Sequence, residues 1–150
     1  MSIPRILLED RAEITELIAE YAYRYDENRI TDFVELFPAD AELSFYVASG
    51  DEPFLTTSSN AERMVTLREI KSSPNRQAGQ ARHIQTNTVL EHLSNGRISG
   101  RTLLVCTLQP VDGSPNKILF TGVYRDEFQR TDAGWRFAIR KAYLDIPDLE

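Results

Sequence analysis

From Arg82 to Asp145 the chain reads as four long strands separated by short breaks, while the helical periodicity lies ahead of them. The strands are expected at Arg82 to Leu93, Arg97 to Leu108, Lys117 to Arg130 and Trp135 to Asp145. Ser94-Asn95-Gly96 and Thr131-Asp132-Ala133-Gly134 have the residues of hairpin turns, and the loop from Pro110 to Pro115 joins the middle pair. Consecutive strands with such short connections must pair antiparallel, as a meander. Helices first and antiparallel strands afterwards predict an α+β fold in which N-terminal helices cover one face of a curved, mostly antiparallel sheet.

Upstream, Ile14, Leu17, Ile18, Tyr21, Ala22 and Tyr25 repeat at the i, i+3, i+4 spacing of an amphipathic helix. Asp10 followed by Glu13 reads as a capping box, which places this helix from about Arg11 to Asn28. Thr31 is expected to cap a short second helix through Phe37, closed by Pro38. Glu42 to Val47 alternate as a first strand, Ala48 to Ser59 form a loop, and a third helix starts at Ser59 or Asn60. The polar run from Ser72 to Gln80 suits a mobile loop.

One residue breaks the pattern of the first helix. Asp26 continues the edge defined by Ile18 and Ala22 and so points inward, whereas Glu13, Glu16, Glu20, Arg24 and Glu27 occupy the solvated side. A carboxylate held out of water needs a partner. The best candidate is His83, near the start of the first long strand, with Gln85, Asn87 and Val89 expected on its face by period-two alternation. A lone strand histidine can equally be a packed residue, so both readings stand at this level. His92 falls on the other face beside a turn and is expected in solvent. Arg140, between Ala138 and Ala142, has room around it for an anion; pairing with a structural acid such as Asp126 or Asp145 is an equal alternative. Tyr25, Phe45, Tyr46, Phe120 and Tyr124 can wall an aromatic cavity or simply fill a core.

Composition removes other classes. With 150 residues and 41% hydrophobic content the chain suits a single domain, 1–150, able to close a core around a small-molecule cavity. A net charge of −6 argues against nucleic acid as a partner, and no stretch is long and apolar enough to span a membrane. The N-terminal residues lack the pattern of a secretory signal, which points to the cytoplasm. Cys106 is the sole cysteine, set in an apolar run where a thiol acts as a small hydrophobe. Two histidines on opposite faces, with no second His or Cys nearby, do not have metal-site spacing, and glycine-rich phosphate loops and serine elbows are absent.

The segments Leu8 to Ile14 through Tyr25-Asp26, Arg82 to Asn87, Gly122 to Glu127 and Trp135 to Arg140 together resemble the SnoaL-like group of the nuclear transport factor 2-like superfamily. Within it they are most similar to scytalone dehydratase and hexachlorocyclohexane dehydrochlorinase. The resemblance implies a cone-shaped α+β barrel and a cofactor-free lyase or isomerase acting through an Asp-His dyad on a small hydrophobic, aromatic or polyketide-like substrate. By position Asp26 matches the dyad aspartate, His83 the base, Arg140 an arginine facing the departing anion, and Tyr25 a tyrosine that holds water or polarises the substrate. Phe45, Tyr46, Asn87, Phe120 and Tyr124 are the expected substrate-binding residues. The strand Arg101 to Leu108 lacks the dehydratase's second histidine, and Gly122 and Tyr124 replace its serine and asparagine, so scytalone itself is a poor expectation. The same segments also look like the small subunits of aromatic-ring-hydroxylating dioxygenases, where this fold is a non-catalytic partner. A small-molecule binding domain is the remaining alternative. The superfamily further implies a homo-oligomer, a dimer or trimer.

Overall fold

A computed structural model describes residues 5–48, 50–74 and 79–147 of the chain. The first helix, α1 (Leu8–Asp26), buries Asp10, Ile14, Leu17, Ile18, Tyr21, Ala22 and Tyr25, the stripe read from the sequence. It begins earlier than the Asp10-Glu13 signature suggests, with Leu7 at the N-cap and no side-chain cap. Both acids are engaged by the last hairpin instead. Asp10 accepts from Trp135 Nε1 at 2.9 Å and pairs with Arg130, while Glu13 accepts from the Trp135 backbone N–H at 2.9 Å. Asn28, at φ 62°, ends the helix: the N–H of Arg29 reaches back to the carbonyl of Arg24, the long bond of a left-handed C-terminal cap.

The second helix, α2 (Ile30–Val34), is shorter than expected and contains Thr31 rather than being capped by it, with Arg29 at the N-cap position. The strand β1 (Glu42–Val47) has the expected bounds, but the loop after it contains a short strand, β2 (Leu55–Thr57). Ser59 caps α3 (Asn60–Ser72) by accepting from the backbone N–H of Glu62 at 3.2 Å. Arg63 on that helix is fully buried and donates to the carbonyls of Ala41, at 2.5 Å, and Pro38, at 3.1 Å. It thereby pins α3 to the chain that enters β1. Of the polar run expected as a mobile loop, residues 75–78 lie outside the described residues, and its last two residues already belong to β3 (Gly79–His92).

The remaining strands are β4 (Ile98–Pro110), β5 (Lys117–Thr131) and β6 (Gly134–Leu144). The sheet has the order β2-β1-β6-β5-β4-β3, antiparallel throughout except for the parallel pair β1 and β6. It curves without closing, and the helices complete the cone. On the concave face Phe128, Phe137, Ile98, Leu104 and Leu43 meet Ile14, Phe33 and Phe37, all of them at most 3% exposed. Three register shifts interrupt the alternation: one in β3 between Thr86 and Val89, one opposite Cys106 and Thr107, where β5 carries Leu119 as an extra residue, and one opposite Glu127 and Phe128, where β6 carries Ala138.

Candidate active site

The last turn of α1 lies against the start of β3, and this contact brings Asp26 to His83. The carboxylate grips the histidine twice: Oδ1 is 2.6 Å from the ring Nδ1, and Oδ2 accepts from the His83 backbone N–H at 2.8 Å. Both side chains are almost fully buried, at 5% exposure for Asp26 and 7% for His83. A carboxylate facing Nδ1 fixes the proton there, which leaves the lone pair of a neutral imidazole on Nε2. The edge of Tyr25 meets the same ring, with centroids 5.0 Å apart.

His83 forms part of the wall of a cavity of about 250 Å³. Side chains from α1, α3 and all six strands line it, mostly apolar: Phe45, Leu55, Ile70, Leu104, Phe120 and Leu144 among them, with Tyr21, Tyr25 and Tyr124 as the polar-tipped members. Such a space, apolar with a few convergent polar groups, is the usual form of a small-molecule site. From the other side the dyad borders an open groove between α1 and β3, edged by Ala22, Tyr23 and Ile84. Among the described residues, no group of three or more His, Cys, Asp or Glu side chains is placed to hold a metal ion.

Three expected site residues stand elsewhere. Asn87 falls in the β3 bulge at φ 57° and is exposed; the extra residue resets the alternation, so Thr88 rather than Asn87 turns inward, where its hydroxyl meets that of Thr102 at 2.9 Å. Tyr46 neighbours Phe45 on β1 and therefore takes the opposite face, stacked on Tyr143 at 4.6 Å. Arg140 is fully buried one layer behind the cavity wall. Its guanidinium carbon lies 3.5 Å from the ring centre of Tyr124 and 4.0 Å from that of Tyr21, and Nη2 donates to Gln85 Oε1 at 2.6 Å. Asp126, its cross-strand partner, brings Oδ1 to 3.2 Å from Nε, yet neither carboxylate oxygen has a hydrogen bond among the described residues. Burial outweighs the nearby cation and pushes the Asp126 carboxyl up to about 7. Of the two readings of Arg140, one open to an anion and one paired with a structural acid, the arrangement matches the second, with Asp126 as an imperfect partner.

Sequence reasoning left Tyr21 and Gln85 without a role. Tyr21 sits one turn before Tyr25 on the same inward stripe, and burial raises its hydroxyl to about 12. Gln85, two residues from His83, donates to the Ile18 carbonyl at 2.9 Å while accepting from Arg140, so it joins helix, strand and cation. Both signals were present in the spacing, although a tyrosine on a core stripe does not by itself distinguish packing from a wall.

A family profile described as the SnoaL-like domain matches residues 7–141. No curated protein sequence matches the chain significantly. Among solved structures, Aln2 from a Streptomyces species is 22% identical, with a TM-score of 0.78 over 96% of this chain and 95% of that one. A protein from Novosphingobium aromaticivorans, provisionally assigned as a scytalone dehydratase, is 19% identical with a TM-score of 0.73 over 95% and 89%. The β subunit of a provisionally assigned aromatic-ring-hydroxylating dioxygenase from the same organism is 21% identical, with a TM-score of 0.75 over 93% and 91%. At these identities the likeness concerns the fold.

Proposed function

Because this chain belongs to the SnoaL-like domain family, we propose that it is a cofactor-independent lyase or isomerase acting on a small hydrophobic, aromatic or polyketide-like molecule. The observation that carries the reading is the 2.6 Å contact between His83 Nδ1 and Asp26, made where the imidazole borders an apolar cavity. His83 Nε2 removes a proton from a carbon next to a carbonyl, and the electron pair of that C–H bond passes through carbon to the oxygen, giving an enolate. The enolate then expels a group from the β carbon, as in dehydration, or takes the proton back at another carbon. Asp26 holds the tautomer and stabilises the imidazolium, as the acid of a catalytic triad does. Tyr25, edge-on to the ring, helps to hold the substrate or a water against it.

The cavity at His83 favours this reading over a non-catalytic dioxygenase subunit, in which packing would fill that space. A homo-oligomer, dimer or trimer, working in the cytoplasm without nucleic acid or membrane is the accompanying picture, and among the described residues no helix is long and apolar enough to cross a membrane. A thermal-shift screen of small aromatic ketones and hydroxyketones, followed by turnover of the hits, tests the proposal. Wild-type protein should convert at least one hit and His83→Ala none. Equal conversion by both would end the dyad mechanism.

A further inference from the structure

Arg140 poses a problem of energetics. A guanidinium with no exposed surface loses its hydration, and a buried ion pair is often no more stable than apolar residues of the same volume. The pair here is also poorly made. Nε and Nη1 of Arg140 and both oxygens of Asp126 lack hydrogen bonds among the described residues. With the Asp126 carboxyl raised to about 7, a substantial fraction is protonated near neutrality, and the guanidinium then keeps net positive charge. Fold stability alone does not account for such an arrangement.

The two rings that cover this charge are cavity walls. Tyr21 and Tyr124 are at most 3% exposed, meet edge to face at 5.6 Å, and both line the cavity. Each phenol owns one O–H hydrogen that it can donate. Burial raises both hydroxyls, Tyr21 to about 12, so they stay protonated donors in neutral solution. A cation stacked against the rings draws electron density from them and strengthens those donors in a space where water does not compete.

We propose that Tyr21 and Tyr124, with Arg140 beneath them, form an oxyanion-binding pair that selects substrates presenting a ketone, enolate or phenolate oxygen. Arg140 is a positioning residue in this scheme, acting through the phenols without touching the substrate. The proposal rests on the dyad reading and deepens it: the charge released when His83 takes a proton collects on the oxygen that the phenols hold.

Equilibrium binding of 4-nitrophenol in mildly alkaline buffer, where it is the anion, is compared with that of neutral nitrobenzene. Wild-type protein should prefer the anion, and the absorption band of bound 4-nitrophenolate should move to shorter wavelength as a hydrogen bond localises its charge on oxygen. Tyr21→Phe and Tyr124→Phe should each weaken anion binding about tenfold or more and reverse part of the band shift, with nitrobenzene affinity changed no more than about twofold. Arg140→Met should lower the preference and the band shift together. The same preference in both Phe variants would overturn the proposal. Turnover plays no part in the measurement. Its failure therefore leaves the His83 mechanism standing, and a catalytically competent His83→Ala variant would remove that mechanism without deciding whether the tyrosines prefer the anion.

Discussion

Replacing Asp26 with asparagine tests the dyad at the level of a single proton. The aspartate accepts two hydrogen bonds from His83, at 2.6 Å from Nδ1 and 2.8 Å from the backbone N–H. Asparagine has one acceptor oxygen. If that oxygen keeps the backbone N–H, the amide NH₂ faces Nδ1 and the imidazole must carry its proton on Nε2, the atom that should act as base. The reverse orientation sets two donors against each other at the backbone. Recovering the productive tautomer then costs about the value of one charge-assisted hydrogen bond, about 1.5–3 kcal/mol. Forming the imidazolium beside a neutral amide instead of a carboxylate forfeits a similar amount. Together these come to about 3–6 kcal/mol, or about 10²- to 10⁴-fold in turnover. The assay need not wait for a substrate. The chain has two histidines, so ¹⁵N spectra contain only two imidazoles to assign. His83 should be protonated at Nδ1 in the wild type and at Nε2 in Asp26→Asn, with little change in melting temperature. A wild-type His83 already protonated at Nε2, or a variant that keeps the proton on Nδ1, would refute the argument.

The buried carboxyl of Asp126 gives a pH dependence of definite sign. Its native value of about 7 lies above the ordinary 3.8, so folding takes up a proton between those limits, and stability should fall by a few kcal/mol as pH rises from about 4 to about 7. Asp126→Asn should lack that decline, which urea unfolding at several pH values would reveal; parallel curves for the two proteins would contradict it. Arg63→Met should lose about 3 kcal/mol in the same assay, because the buried Ala41 carbonyl loses its guanidinium donor and the Pro38 carbonyl keeps only the Ala41 N–H. A loss under about 1 kcal/mol would mean that water replaces the guanidinium. Gly122→Ala places a methyl carbon 2.4 Å from the Tyr143 carbonyl oxygen across the β5–β6 ladder, and a cost of about 1–3 kcal/mol is expected; an unchanged melting temperature would show that the ladder yields freely.

The four long strands and their meander were legible because alternation and hairpin turns are local, and β1, β5 and β6 end within a residue or so of their expected limits, whereas the three-residue β2 was read as loop. The inward direction of Asp26 followed from helical period alone. What escaped was decided by pairing. A bulge inserts one residue according to how two strands meet, and nothing in Thr86-Asn87-Thr88 announces it, so every inward assignment beyond Thr86 shifts by one. The Asp10-Glu13 signature was overridden by a hairpin more than a hundred residues away, whose indole and backbone N–H compete for the same carboxylates. Tyr46 could have been excluded from the start, since adjacent strand residues cannot both face one cavity. The depth of Arg140 was not visible, because alanine neighbours fit a buried cation as well as an accessible one.

The bond from the His83 backbone N–H to Asp26 also bears on the edge of the sheet. A sheet that does not close leaves unpaired backbone groups along its outermost strands, and such rows recruit foreign strands and seed aggregates. At one end β2 limits the hazard by having only three residues. At the other, β3 runs for fourteen residues, and Asp26 occupies the outward N–H of His83 while α1 lies alongside. The carboxylate that orients the histidine is therefore also a stopper on the longest open border of the sheet. Removing it outright, as in Asp26→Ala, would bare a strand-recruiting donor as well as release the proposed base, so insolubility and inactivity should arrive together from one lost side chain.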